Sequence, residues 1–220
     1  MRPPITIPST ACDHEGFRAW ATSDDFPQSG KISFFDGILF IDMSPEELET
    51  HNQVKTAVTS GIYLIVDEAD SGRLYSDRTL VTNVQAGLST EPDATFVSWE
   101  SLERSRVRLV PRKDHPGEYM EVEGSPDWVL EIISRSSWRK DTQTLRALYA
   151  KARIREYWLI DALGEQLQLQ ILHLRGAKYV AAPQRGEWQR SKVFGREFLL
   201  IRTRTKLGYW RYQLKSRAVK

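Results

Sequence analysis

The sequence of 220 residues contains a single cysteine, Cys12. No disulfide framework can form within it, and a cysteine-rich zinc site is excluded. No apolar run approaches the roughly 18 residues of a membrane span. The opening stretch, MRPPITIPSTACDHEGF, lacks the apolar core of a signal peptide. A cytoplasmic protein with no membrane partner is the expectation. Also missing are a Gly-rich phosphate loop and any Ser-x-x-Lys or Gly-x-Ser-x-Gly element. Among the four histidines, His14, His115 and His173 belong to no constellation. Internal repeats and low-complexity segments are absent as well.

What is present is core material. Apolar residues make up 40% of the chain and seven tryptophans are among them, so it is not a disordered chain. The length suits one domain with appendages. We read residues 1–30 as a lead-in with a short helix around Glu15–Ala21, 31–205 as the domain, and 206–220 as a basic tail. The net charge of +2 hides an asymmetry: residues 1–100 hold 6 basic and 16 acidic side chains, and residues 101–220 hold 25 and 13. The last twenty residues carry seven basic side chains and no acid. A basic half suits a polyanion partner, and equally an acidic neighbour.

Two apolar runs flank Asp36-Gly37 in KISFFDGILFIDM, a hairpin pattern. A helix should follow from Ser44, with Pro45 at its first position and Glu47 completing a capping box. Val54, Val58, Ile62 and Ile65 form its apolar stripe. GRLYSDRTLVTN and PDATFVSW read as strands, and the stretch 101–124 as a loop with short ordered pieces. DWVLEIIS is apolar on both faces, as in a covered sheet. The helix of DTQTLRALYAKARIR and the strand EYWLIDA then make a crossover between parallel strands. Hairpins complete a mixed sheet in an α/β or α+β domain.

Glu131 sits alone in the apolar run of DWVLEIIS, and a carboxylate so placed needs a partner. Asp93 opens the strand of EPDATFVSW. If the two strands are neighbours, the acids converge and both ionise only around a cation. Hard oxygen ligands favour Mg²⁺ or Mn²⁺, which can hold a phosphate and activate water. The plainer readings are a turn at Asp93, a buried ion pair with an arginine at Glu131, and a strand-entry turn at Asp127. His51, on the helix after the capping box, can face the acids as a base or simply cap or pack.

EPDATFV, PDWVLEIIS and KDTQTLRALYAKARIREYWLID together resemble the Uma-type restriction-endonuclease family of the PD-(D/E)xK nuclease superfamily. The matching residues are Asp93; Asp127, Glu131 and Ser134; Asp141 and Tyr149; and Glu156, Tyr157, Trp158 and Asp161. FFDGILFIDMSPEELETHNQV, with His51, resembles the family's N-terminal hairpin and helix, so the likeness spans most of 30–200. It implies a restriction-endonuclease-like mixed sheet flanked by helices, with Asp93 and Glu131 as metal-binding catalytic acids. It also implies a lysine, commonly two residues after the glutamate or four before the tyrosine. Ile133 and Leu145 occupy those positions. Lys140, Arg146 and Arg135 are the candidate stand-ins, Lys140 first.

Three readings stay open. One is a Mg²⁺-dependent endonuclease hydrolysing DNA, for which a homodimer suits cutting two strands. Another is an inactive nuclease-like fold that binds DNA or a partner. The last is an oligomeric structural protein whose basic tail docks on an acidic neighbour.

Overall fold

The computed structural model describes residues 5–112 and 115–219. Residues 1–4 of the expected lead-in, 113–114 of the expected loop and 220 of the expected tail lie outside that range.

Asp13 accepts from the Gly16 N–H at 2.8 Å and starts helix α1 (His14–Ala21). Phe17 and Trp20 of α1 are buried with Ile32 and Phe34. Asp36 and Gly37 take φ of 51° and 76°. That turn closes β1 (Lys31–Phe35) and β2 (Ile38–Asp42) as the expected antiparallel hairpin.

The next helix starts differently from its capping pattern. Glu47, not Ser44, is the cap, accepting from the N–H of Glu49 at 3.0 Å and from that of Thr50. A carboxylate offers the first turn two acceptors, and the Ser44 N–H is bound to Asp42 Oδ1 instead. A wide turn, Leu48–Asn52, leads into α2 (Gln53–Glu68). Val54, Val58 and Ile62 are buried, with Ile65 against them.

GRLYSDRTLVTN breaks at Asp77 and Arg78, both at positive φ. It yields β3 (Gly72–Ser76) and β4 (Leu80–Asn83), which join different sheets. β5 (Leu88–Thr90), β6 (Ala94–Ser98) and the short α3 (Trp99–Glu103) follow. The expected loop over 101–124 is mostly the antiparallel pair β7 (Val107–Arg112) and β8 (His115–Gly124). Pro111 is accommodated at a register shift in that pair, and Val107 and Val122 are buried with Val81 and Val97.

β9 (Trp128–Ile132) is followed by a wide turn, Lys140–Leu145, and by α4 (Arg146–Lys151). β10 (Glu156–Asp161) then pairs parallel to β9, Glu131 opposite Leu159, as the strand–helix–strand pattern expects. The rest is hairpins: β11 (Gln168–Arg175), β12 (Lys178–Ala181), β13 (Gln184–Arg185), β14 (Trp188–Arg190), β15 (Arg196–Arg204) and β16 (Trp210–Ala218).

Three sheets result, in the orders β2-β1-β5-β4-β8-β7, β12-β11-β10-β9-β6-β3 and β13-β14-β15-β16. The second is covered on both faces. Trp128, Leu130 and Ile132 join Val58 and Ile62 of α2 and Phe198 of β15 in one core. Val129 and Ile133 join Leu145, Leu148 and Tyr149 in another. Side chains alternate along a strand, so Glu131 falls on the α4 face. Among the described residues, no helix is long and apolar enough to cross a membrane.

Candidate active site

β6 and β9 run antiparallel with Ala94 opposite Leu130. The pairing continues one residue further: the Asp93 N–H donates to Leu130 O at 3.0 Å, and the Ile132 N–H donates to Asp93 Oδ2 at 2.7 Å. Asp93 therefore lies beside Glu131, and both are buried. They line a cavity of about 420 Å³ with Lys31, His51, Lys140 and Asp141.

Glu131 has no arginine partner among the described residues. Its Oε1 accepts from the Tyr149 hydroxyl at 2.5 Å. Tyr149 read as one member of an apolar helical stripe, and its ring is indeed in the core, but its hydroxyl reaches the acid. Asp141 is buried too. The Ser137 hydroxyl donates to its Oδ2, while its Oδ1 is buried with no hydrogen bond, 3.5 Å from Lys140 Nζ.

The cation nearest the acids is Lys31. Its Nζ is 2.5 Å from Asp93 Oδ1. Lys31 opens β1 in the first sheet, whereas Asp93 leads into β6 of the second, so the site lies where the two sheets meet. His51 bridges acids from the other side: its Nε2 is 3.3 Å from Asp93 Oδ2 and its Nδ1 is 2.8 Å from Glu46 Oε1.

These groups set one another's charge. Burial alone would raise Asp93, but Lys31 and His51 overcome it and hold the carboxyl well below its ordinary value. Burial would lower His51, and Asp93 instead raises it. Burial would lower Lys31 as well, yet Asp93 and Glu131 raise it above an ordinary lysine. Glu131 goes the other way. Burial, then Asp141 and Asp93, pushes it up to about 8. Asp141 is also raised, chiefly by burial.

Among the described residues, one donor set is drawn together closely enough to hold a metal. Ligand atoms of Glu46, His51 and Asp93 lie within 4.8 Å of one another. There His51, whose pKa Asp93 raises against the effect of burial, sits between two acids. Asp93, Glu131 and Asp141 line the same cavity as oxygen donors; burial raises Glu131 and Asp141, and Asp141 Oδ1 has no hydrogen-bond partner. Oxygen donors of this kind suit a hard divalent cation, although Lys31 and Lys140 already stand beside Asp93 and Asp141.

Asp93, Glu131, His51 and Lys140 are thus brought to one cavity, and Arg135 also lines it. Arg146 is not among the lining residues; its guanidinium points to Tyr179 O at 3.5 Å. Lys31 was missed in the sequence, since nothing local marks a lysine at the head of an apolar hairpin. Asp127 is bound by the Ser98 N–H, the Ser101 hydroxyl and Arg155 away from the cavity. Glu156 accepts from Trp158 Nε1, the Ser191 hydroxyl and the Lys192 N–H. Both carboxylates are fully accounted for by structure.

Abutting strand ends that bring an acid pair beside a lysine, in a mixed sheet flanked by helices, define a restriction-endonuclease-like protein. The chain belongs to the Uma2 family, described as "Putative restriction endonuclease", whose model matches residues 14–200. Its fold is shared with a solved structure described as "a putative nuclease belonging to DUF820" from Anabaena variabilis. That likeness has a TM-score of 0.60 at 17% identity and covers 83% of this chain and 90% of the other. No curated protein matches the sequence.

Proposed function

We propose that the chain is a Mg²⁺- or Mn²⁺-dependent endonuclease that hydrolyses phosphodiester bonds in DNA, with Asp93 and Glu131 holding the metal. The observation that carries the reading is the gathering of three buried acids at one cavity. Asp93 is ionised, Glu131 and Asp141 are pushed up beside it, and all three open onto one cavity. When bound there, a divalent cation neutralises charge on the phosphate and acidifies a water.

The chain's own residues do the rest. The Ile132 N–H and the Tyr149 hydroxyl fix the orientations of Asp93 and Glu131. Lys31 meets negative charge developing on the phosphate, the task the superfamily gives its lysine. His51, raised by Asp93 and set between it and Glu46, can carry a proton at the cavity. Lys140 at the cavity wall adds a second positive charge.

Ile133 and Leu145, standing where the lysine is expected, favour a second reading: a DNA-binding module of the same fold without cleavage. Lys31 on Asp93 weighs against it. Calorimetric titration of Mg²⁺ into wild type and Glu131→Gln tests the metal site. Saturable binding by wild type that weakens at least tenfold in the variant is expected. Equal heats for the two proteins would remove the site.

A further inference from the structure

The β15–β16 hairpin carries features that the acid cavity does not use. Residues 201–220 hold seven basic side chains and no acid, and all of them lie beyond the residues matched by the family. One face of the hairpin is core, with Phe198, Leu200 and Tyr212 buried. The opposite face of β16 carries Arg211 and Lys215, both exposed. Among the described residues, neither they nor Arg204 and Lys206 enter an ion pair.

The tip is ordered and apolar. The Thr205 N–H donates to Tyr209 O at 2.8 Å, the Gly208 N–H to Thr205 O at 3.0 Å, and Arg204 to Gly208 O at 2.6 Å. Gly208 takes φ of 85°, a conformation glycine adopts freely. Leu207 is 83% exposed and Tyr209 60%. Two large apolar groups held in water on a tight turn that also carries Lys206 gain nothing for folding.

Position gives the tip its meaning. Leu214 lies against Gly61 in the middle of α2; a Cβ on that glycine would stand 3.2 Å from Leu214 Cδ2. Nearer the tip, the Trp210 N–H donates to Glu49 Oε2 at 2.9 Å. Glu49 belongs to the turn that carries His51, and Glu46, Glu47 and Thr50 of that region line the cavity. The hairpin therefore runs along α2 toward the start of that helix, and its tip end reaches the turn that carries His51. Near the tip end of the arm, Arg202 donates to the Ala162, Gly164 and Glu165 carbonyls and, like Arg204, stacks on Trp210.

We infer that the β15–β16 hairpin is a DNA-binding arm. Arg211 and Lys215 lie along the phosphate backbone, Lys206 holds it at the tip, and Leu207 and Tyr209 press on the bases as the strand enters the cavity. The inference rests on the nuclease reading for what happens in the cavity, but the arm binds DNA whether or not cleavage follows. Phosphate neutralisation makes affinity fall steeply with salt. A side chain stacking on a base adds affinity that salt barely changes.

Two variants separate these contributions: Lys206→Ala/Arg211→Ala/Lys215→Ala, and Leu207→Ser/Tyr209→Ser. Both alter only exposed side chains, and matching thermal melts confirm that they fold. Fluorescence anisotropy of a labelled DNA duplex and of its single strand, in Ca²⁺ without Mg²⁺, is read across a salt series. In the basic-face variant the log–log salt slope should become shallower by about 0.9 for each phosphate that is no longer neutralised. In the tip variant affinity should drop about tenfold at an unchanged slope. In Mg²⁺, both should raise KM and leave kcat near wild type. Affinity and slope equal to wild type in both variants would overturn the arm, even in a protein that cleaves. Arm-dependent binding by a wild type that never cleaves would keep the arm and remove the nuclease reading. No affinity of wild type for DNA at low salt would overturn both.

Discussion

Lys31 Nζ lies 2.5 Å from Asp93 Oδ1, joining the head of β1 in one sheet to the head of β6 in another across 62 residues of sequence. Under the proposed nuclease reading, Lys31 takes the part of the lysine absent at positions 133 and 145. The contact also ranks the cations: Lys31 touches the ionised acid, whereas Lys140 lies 3.5 Å from an acid that resists ionising.

Lys31→Met should therefore lower the rate of Mg²⁺-dependent cleavage by about 10²–10³, the range for losing one preorganised charge-stabilising group. Lys140→Met should cost less than about tenfold. Single-turnover cleavage of a labelled duplex at saturating metal measures both. A larger loss in Lys140→Met would reverse the assignment.

The raised acids make a signed prediction about pH. Glu131 is pushed up from 4.5 to about 8, first by burial. Between those values the folded protein holds a proton that the unfolded chain has released. Stability of the metal-free protein should fall as pH rises through that window, since the folded state binds the extra proton. Asp141, also raised, acts in the same direction. Mg²⁺ takes the proton's place, so its binding near neutral pH should release close to one proton. Calorimetry in buffers of different ionisation enthalpy reads this directly, and Glu131→Gln should abolish it. A release that persists in Glu131→Gln would assign the proton elsewhere.

Tyr149→Phe removes the one hydroxyl bound to Glu131 while keeping the buried ring. That donor favours the charged carboxylate, so its loss should push Glu131 higher still. The acidic limb of the cleavage profile should move to higher pH. Stability should fall by about 1–2 kcal/mol, the usual cost of a broken buried hydrogen bond. An unmoved pH profile would mean that Glu131 does not titrate in catalysis.

How far the sequence could be read follows from how local each signal is. Asp36-Gly37 fixes its own turn, and an apolar strand with one acid marks its own burial, so the hairpin, β9 and the Asp93–Glu131 pair were all legible. The Glu47 cap depended on Ser44 being committed to Asp42. The β7–β8 pair hid behind two prolines and many charges that a register shift accommodates. Lys31 needed the packing of two sheets, and the Tyr149 hydroxyl lay concealed in a stripe that reads as pure core. Leu145 shows why the helix carries no lysine: it is fully buried among Val129, Leu148 and Tyr157.

Leu145→Lys should consequently destabilise the fold without raising activity. An unpaired ammonium in that cluster, added to the missing leucine packing, should cost about 3 kcal/mol or more and lower the melting temperature by several degrees. A thermal melt alongside the cleavage assay decides it. A variant that melts like wild type and cleaves faster would restore the helix position as the proper site of the lysine.

The central claim is that Asp93 and Glu131 hold the metal that drives hydrolysis of DNA. Nicking of supercoiled plasmid by wild type, Asp93→Asn and Glu131→Gln, across a Mg²⁺ series, tests it most directly. The account predicts Mg²⁺-dependent nicking by wild type and a loss of at least about 10³ in each variant, all three proteins remaining folded. A wild type that never nicks at any Mg²⁺ concentration, or variants that nick as fast as wild type, would contradict it.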